Sequence, residues 1–265
     1  MSLVHLIVVA LVQGITEFLP VSSSGHLALI PILTGWDDQG RAIDVAAHIG
    51  SLGAVLVYFR RDVAALAAAA LALPRGRLHP QRRLLLLLLL ATLPAVTAGA
   101  ALATWAGDAL REIEIIAWSM TWGAVLLYFA DRFGPAADRI DDIGWCRALA
   151  IGLAQVLALV PGTSRAGITM TAGRLLGLAR DEAARFSMLL AIPVILGAGV
   201  LEGASLVAAE DAGLSASALL AAMLSFAAAL AAITVLMRWL RHASFTPLVL
   251  YRLALGFCLL GYVYL

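Results

Sequence analysis

Long apolar runs alternate with short polar connections along most of this chain. Six of these runs approach the roughly 20 residues that an α-helix needs to cross about 30 Å of hydrocarbon. They cover approximately residues 42–59, 84–104, 113–130, 186–208, 217–238 and 247–265. The pattern therefore predicts six transmembrane helices.

Two further apolar segments, 1–34 and 144–178, are each broken into two short pieces by proline and small polar residues. A helix that ends before Pro20 and a second helix that starts near Gly25 are both too short to span the bilayer, and the same holds around Pro161. We interpret both segments as re-entrant helical hairpins.

Composition agrees with a membrane-embedded chain. Hydrophobic residues make up 62% of the 265 residues, charged residues make up 13%, and the mean hydropathy is +0.96. Soluble proteins average about 45–50% apolar and 25% charged residues. The net charge of +1 argues against a nucleic-acid partner, which requires a basic surface. The fold class we expect is an all-α integral membrane protein.

The arginines predict the orientation of the helices. They concentrate in the connections 60–83 and 131–147 and beside the fourth and fifth spans, whereas the connections on the other side contain only Arg41 and Arg111. The positive-inside rule places the arginine-rich connections in the cytoplasm and both termini outside. The alanine-rich stretch 62–73 lies between arginines and predicts a short helix at the interface.

The same topology predicts an internal repeat. Residues 1–131 and 144–265 each contain a hairpin followed by three spans, and the two hairpins enter from opposite sides. Gln13 pairs with Gln155 at an offset of 142 residues, and the offset is 141 for Pro20 with Pro161 and for Ser23 with Ser164. Inverted repeats with broken helices hold their ligand near the midplane, between the repeats.

The first hairpin places a carboxylate and a row of hydroxyls around a helix break. Gln13 and Glu17 are four residues apart, so both project from one face of a helix. After Pro20, three serines can cap the next helix and leave several of its backbone N–H groups free for an anion. These serines are Ser22, Ser23 and Ser24.

The second hairpin has an equivalent polar break, at Gly162, Thr163 and Ser164. Arg165 adds a planar, permanently charged fork that suits phosphate oxygens, and Thr169 follows on the same helical face. Polar groups in lipid are costly unless they face one another or a charged ligand. We therefore predict that both breaks form one cradle for a phosphate or, more naturally, a diphosphate.

Catalytic groups lie beside this cradle. His26 can act as a general acid or base, and Ser23 is our first choice for the nucleophile. Glu17 can hold a divalent cation whose other ligands are substrate oxygens and water. Direct attack by water uses the same groups and stays open at this stage.

Structural explanations for these residues also stay open. Glu17 and Arg165 can form a buried ion pair that only closes the repeat interface, and the serines can serve only as caps. His48 lies in an apolar span and can reach the site, where it would contact the residues that bind the ligand.

The two motifs resemble the signatures of a known family. Gln13-Gly-Ile-Thr-Glu17-Phe-Leu-Pro-Val-Ser-Ser-Ser-Gly-His26 and Pro161-Gly-Thr-Ser-Arg165-Ala-Gly-Ile-Thr169 closely resemble those of the undecaprenyl-diphosphatases, also called bacitracin-resistance proteins. The family pattern allows Glu or Gln where this chain has Gln13, and most members have a second serine where it has Ala166.

The resemblance implies hydrolysis of a C55 polyprenyl diphosphate to its monophosphate and inorganic phosphate, with a divalent cation, Mg²⁺ or Ca²⁺. It implies a bacterial inner-membrane protein whose site opens to the periplasmic side. A homodimer is compatible with the sequence, which does not fix the oligomeric state.

A secondary transporter or scramblase of a phosphorylated lipid is the alternative, because broken helices and inverted repeats are common in transporters. An acyl hydrolase is disfavoured by the lack of a G-x-S-x-G motif. A Walker-type nucleotide hydrolase is excluded because the chain contains no lysine.

Overall fold

A computed structural model of the chain describes residues 1–76, 78–105, 112–135, 138–208 and 216–265. These residues form eleven α-helices and no β-strand. In chain order the helices are α1 (Leu3–Thr16), α2 (Ser23–Thr34), α3 (Arg41–Tyr58), α4 (Arg60–Ala72), α5 (Arg82–Trp105), α6 (Ile113–Phe133), α7 (Trp145–Gln155), α8 (Arg165–Leu175), α9 (Arg180–Ala208), α10 (Ala216–Leu240) and α11 (Thr246–Tyr264).

Six of the described helices are long and apolar enough to cross a membrane: α3, α5, α6, α9, α10 and α11. They coincide with the six predicted spans, so the prediction of an all-α, multi-pass protein is confirmed. Helix α9 begins at Arg180, six residues before its predicted start. The charged first turns that hid this boundary are paired, since Arg180 contacts Asp131 and Arg185 contacts Asp62.

The segments that were predicted to be broken are short helices separated by bends. Helices α1 and α2 contain 14 and 12 residues, and α7 and α8 contain 11 each. At 1.5 Å per residue, each is well short of the roughly 30 Å hydrocarbon layer. A 3₁₀ turn over Val156–Leu159 follows α7. The short α4 occupies the stretch 62–73 for which a separate helix was predicted.

The long helices pack closely around the short ones. Helix α10 lies against α1 and α3, α5 lies against α7, and α6 lies against α8 and α11. Two of these contacts require glycine, because a Cβ on Gly50 would lie 2.1 Å from the Ala222 carbonyl and one on Gly152 would lie 2.4 Å from the Ala91 carbonyl. Small residues at such contacts let membrane helices approach to backbone distance.

A buried polar network connects the ends of four helices on one side of the molecule. Asp131 on α6 accepts hydrogen bonds from Arg174 on α8, from Arg180 on α9 and from the backbone N–H of Phe245. The side chains of Arg174 and Asp131 are 1% and 5% exposed. This network ties the N-terminal end of α11 to α6, α8 and α9, and so stabilises this end of the fold.

Candidate functional site

The two helix breaks share one unusual cap geometry. Ser22 caps α2 with φ 74°, and Ser164 caps α8 with φ 70°. Within the described residues they are the only non-glycine positions with positive φ. Each serine hydroxyl accepts a hydrogen bond from the N–H three residues on, at 3.2 Å from Gly25 and 3.0 Å from Gly167. A positive φ at a residue with a side chain is a strained backbone conformation, and strain of this kind is concentrated at functional sites.

Ser22 and Ser164 therefore have matching cap geometry. They are 142 residues apart, the same offset that relates Gln13 to Gln155.

The two breaks meet in space. The Gly162 N–H lies 3.4 Å from the Ser24 hydroxyl, and the Ser24 hydroxyl lies 3.3 Å from that of Ser22. The N-termini of α2 and α8 are therefore neighbours. The first N–H groups of a helix have no partner within it and carry partial positive charge.

Glu17 joins the two halves directly. Its Oε1 accepts a hydrogen bond from the Arg165 guanidinium at 2.7 Å, and its Oε2 accepts one from the Ser23 hydroxyl at 2.7 Å and one from the Gln13 amide at 3.0 Å. The Glu17 and Arg165 side chains are only 8% and 13% exposed. The predicted convergence of carboxylate, guanidinium and hydroxyl is therefore present, and their chemical roles remain predictions.

The two candidate histidines lie on different sides of this cluster. His26 Nδ1 lies 2.6 Å from the Ser22 carbonyl, and its Nε2 lies 2.6 Å from the Tyr251 hydroxyl. A carbonyl can only accept, so Nδ1 donates, and Nε2 of the neutral ring accepts from Tyr251. His26 thus does not hold the Ser23 hydroxyl, which is bonded to Glu17. His48 Nε2 lies 3.8 Å from Glu17 Oε2.

Three of the residues predicted to bind phosphate in the second break make hydrogen bonds to other protein groups. The carbonyls of Gly162 and Thr163 accept hydrogen bonds from Arg252. The Thr169 hydroxyl is buried 2.6 Å from the Ser187 hydroxyl and 2.8 Å from the Arg165 carbonyl. Thr169 therefore supports the helix turn that carries Arg165.

Sequence reasoning missed three of these partners: Ser187, Tyr251 and Arg252. An arginine inside the predicted span 247–265 was the available signal for Arg252, because ionisable residues inside a membrane usually serve a function. Ser187 and Tyr251 carry no comparable signal, since a hydroxyl in an apolar helix can bond to its own backbone.

A cavity of about 350 Å³ opens beside this cluster. Its polar lining consists of Gln13, Ser23, Ser24, Asp38, Gln39, Asp44 and His48.

Among the described residues no group of three or more His, Cys, Asp or Glu side chains is placed to hold a metal ion. The amide oxygens of Gln13 and Gln39 are nevertheless buried without a hydrogen-bond partner. Amide and carboxylate oxygens with water suit Mg²⁺ and Ca²⁺, so the lining fits a hydrated divalent cation.

Comparison with known proteins gives consistent matches over nearly the whole chain. The model of the family described as "Bacitracin resistance protein BacA" matches residues 6–258. The undecaprenyl-diphosphatase of Ruegeria pomeroyi is 53% identical over 267 residues, with both chains covered completely. The proteins of the same name from Jannaschia sp. (strain CCS1) and Dinoroseobacter shibae are each 50% identical over 266 residues, again with both chains fully covered.

Proposed function

Because the chain belongs to the bacitracin resistance protein BacA family, we propose that it hydrolyses undecaprenyl diphosphate in a bacterial plasma membrane. Water cleaves the phosphoric anhydride, and the products are undecaprenyl phosphate and inorganic phosphate. The observation that carries this proposal is the Glu17 carboxylate, which accepts hydrogen bonds from both Arg165 and Ser23 beside two neighbouring helix N-termini.

Recognition of the diphosphate follows from the positive groups that face the break. The N-termini of α2 and α8 offer backbone N–H groups, and Arg165 offers a guanidinium fork. A diphosphate has enough oxygens to engage both N-termini at once. The apolar helix surfaces around the site suit a prenyl chain that stays in the lipid.

The reaction begins when the substrate draws Arg165 away from Glu17. The carboxylate then accepts the Ser23 proton, and Ser23 Oγ attacks the terminal phosphorus. The Oγ–P bond forms while the anhydride P–O bond breaks, and the lipid monophosphate leaves. Water then attacks the phosphorus, the Oγ–P bond breaks, the proton held by Glu17 returns to Ser23 Oγ, and inorganic phosphate leaves. Direct water attack, with Glu17 as the base, is the competing route.

A divalent cation would be held by Glu17 and the Gln13 amide oxygen, and Asp44 lines the same cavity as Gln13. Such an ion neutralises charge on phosphate oxygens and so eases nucleophilic attack. The resemblance to the family implies this ion, and the buried amide oxygens without partners support a place for it.

An inverted repeat with two re-entrant hairpins accounts for the pattern of helix contacts. Helix α1 packs on α2 and α10, and α7 packs correspondingly on α8 and α5. The matched caps at Ser22 and Ser164 support the same relation. With the arginine-rich connections in the cytoplasm, the cavity bounded by Asp38, Gln39 and Asp44 opens on the periplasmic side.

Phosphate release tests the activity directly. Purified protein in detergent is given undecaprenyl diphosphate, and inorganic phosphate is measured for wild type, Glu17→Gln, Ser23→Ala, His26→Ala and Arg165→Ala. We expect Glu17→Gln and Arg165→Ala to lose about 10²-fold or more in kcat. Glu114→Gln is the matched control, because Glu114 is an exposed carboxylate bonded to Tyr264. Absence of phosphate release by the wild type would refute the proposal.

The nucleophile and the transporter alternative need separate measurements. Rapid acid quenching followed by peptide mass analysis should find one phosphoryl group on Ser23, and its absence with active enzyme would favour water attack. In proteoliposomes, movement of a labelled prenyl phosphate without phosphate release would instead support the scramblase.

A further inference from the structure

Arg252 is a buried cation at the centre of the two helix breaks. It projects from α11 and is 0% exposed. Its NH1 donates to the Pro20 carbonyl at 3.1 Å, and its NH2 donates to the Gly162 carbonyl at 3.2 Å and the Thr163 carbonyl at 2.9 Å. One side chain thus holds the loop before α2 and the loop before α8 together.

Two other helices leave space for this guanidinium. A Cβ on Gly123 of α6 would lie 2.4 Å from Arg252 NH2, and a Cβ on Gly167 of α8 would lie 2.7 Å from its NH1. Both distances are shorter than real Cβ contacts. A side chain at either position would therefore push the guanidinium away from the loop carbonyls.

The charge of Arg252 has no acidic partner in the described part of the chain. The ion pairs found there involve Arg147, Arg165, Arg174, Arg180, Arg185 and His48. Arg252 instead bonds only to backbone carbonyls, and its Nε has no partner. A buried charge without a counter-ion is costly, and the neighbouring helix N-termini add positive potential. The uncompensated positive charge of this region therefore favours the binding of an anion.

The carbonyl contacts also fix the direction of the opposite N–H groups. In a planar trans peptide the C=O and N–H point in opposite directions. When Arg252 holds the Thr163 carbonyl, the N–H of Ser164 is directed away from Arg252. The N–H opposite the Pro20 carbonyl is that of Val21, which already donates to the Leu19 carbonyl at 2.7 Å, so in the first loop the Arg252 contact fixes the loop itself.

We infer that Arg252 is a positioning residue that holds the two phosphate-binding loops at a fixed separation and orientation. It acts on the loops from behind and does not contact the substrate, and its uncompensated charge favours the bound diphosphate. This inference rests on the proposed phosphatase activity, and it explains how one ligand can meet both helix N-termini.

The test compares Arg252→Lys with Arg174→Lys. Arg174 is the matched control, because it is also buried and also donates to backbone carbonyls, at Pro135 and Leu178, yet it lies in the network around Asp131. For each variant kcat, KM and the melting temperature in detergent are measured, with kcat expressed per folded molecule. Lysine keeps the charge but cannot reach both loops with a fork.

We expect Arg252→Lys to lower kcat by about 10²-fold, the cost of misplacing reacting groups by roughly 1 Å, with a much smaller change in KM. Arg174→Lys should lower the melting temperature and leave kcat per folded molecule within about twofold, since that side chain only stabilises the fold. Equal kcat in the two variants would overturn the inference.

A second variant keeps the test decisive if Arg252→Lys does not fold. Gly123→Ala leaves Arg252 in place but pushes its guanidinium, at 2.4 Å, and less strongly the Thr163 carbonyl that the guanidinium holds, at 3.2 Å. Gly197→Ala is the control because a Cβ there meets nothing within 4 Å. Loss of kcat in Gly123→Ala alone supports the inference, and wild-type kcat contradicts it. A wild type that releases no phosphate would refute the proposed function itself, which is a separate outcome.

Discussion

Gly162→Ala is the most direct test of the phosphate-binding loop. Gly162 has φ 92°, a conformation that residues with a side chain rarely adopt. A Cβ at this position would lie 2.1 Å from the Ser119 hydroxyl and 2.5 Å from the Ile116 carbonyl. Both neighbours belong to α6, and one of them is a backbone atom that cannot rotate away.

The size of the effect follows from these distances. Ordinary Cβ contacts begin at 3.4 Å, so the loop must move by about 1 Å away from the Ile116 carbonyl even if the Ser119 hydroxyl rotates aside. That shift stretches the bonds from Gly162 to Arg252 and Ser24. A misplacement of about 1 Å can cost roughly 10²-fold in rate, and we expect a loss of kcat of that size with the protein still folded.

Phosphate release from undecaprenyl diphosphate, together with melting in detergent, provides the assay. Gly76→Ala is the matched control, because Gly76 also has a positive φ, of 65°, but a Cβ there meets nothing within 4 Å. Comparison of the two variants separates the effect of backbone strain from the effect of displacing the loop. A folded Gly162→Ala protein with wild-type kcat would refute the argument that the position of this loop determines catalysis.

Three further outcomes are expected. Tyr251→Phe removes the hydroxyl that bonds His26 Nε2 and should lower kcat roughly tenfold with KM unchanged; a wild-type rate would show that this hydroxyl does not assist catalysis. Asp131→Asn leaves the buried Arg174 without a counter-charge and should destabilise the fold by about 3–5 kcal/mol, and an unchanged melting temperature in detergent would contradict this. Chelation should abolish phosphate release and Mg²⁺ should restore it, and Gln13→Ala should raise the Mg²⁺ concentration required for half-maximal rate roughly tenfold. Activity that survives chelation would argue against the cation.

The spans were predictable because the bilayer sets their length. Apolar runs of about 20 residues identify such helices regardless of their partners, and all six agree with the structure. The first turns of α9 were missed because Arg180 and Arg185 are charged. Their pairing with Asp131 and Asp62 lets the helix extend, and a pattern read along one segment does not show partners from another.

The site was predictable to the level of motifs. Proline and hydroxyl residues inside apolar segments indicated two breaks that must face each other, and Glu17 and Arg165 do lie 2.7 Å apart. Which serine caps the helix and which meets the carboxylate was not predictable, since neighbouring serines are chemically alike. A place for Arg252 in the site was not predicted, because its partners are backbone carbonyls, which every residue carries.

The contact between Glu17 and Arg165 has a consequence for inhibitor design. A small anion that takes the guanidinium without a divalent cation at Glu17 leaves behind a buried carboxylate without a counter-charge, so simple phosphate mimics should compete weakly in the absence of the cation. A zwitterionic headgroup avoids this penalty, because its acidic end replaces Glu17 at the arginine while an ammonium end satisfies the carboxylate. Compounds for this cavity should therefore carry both charges a few ångströms apart.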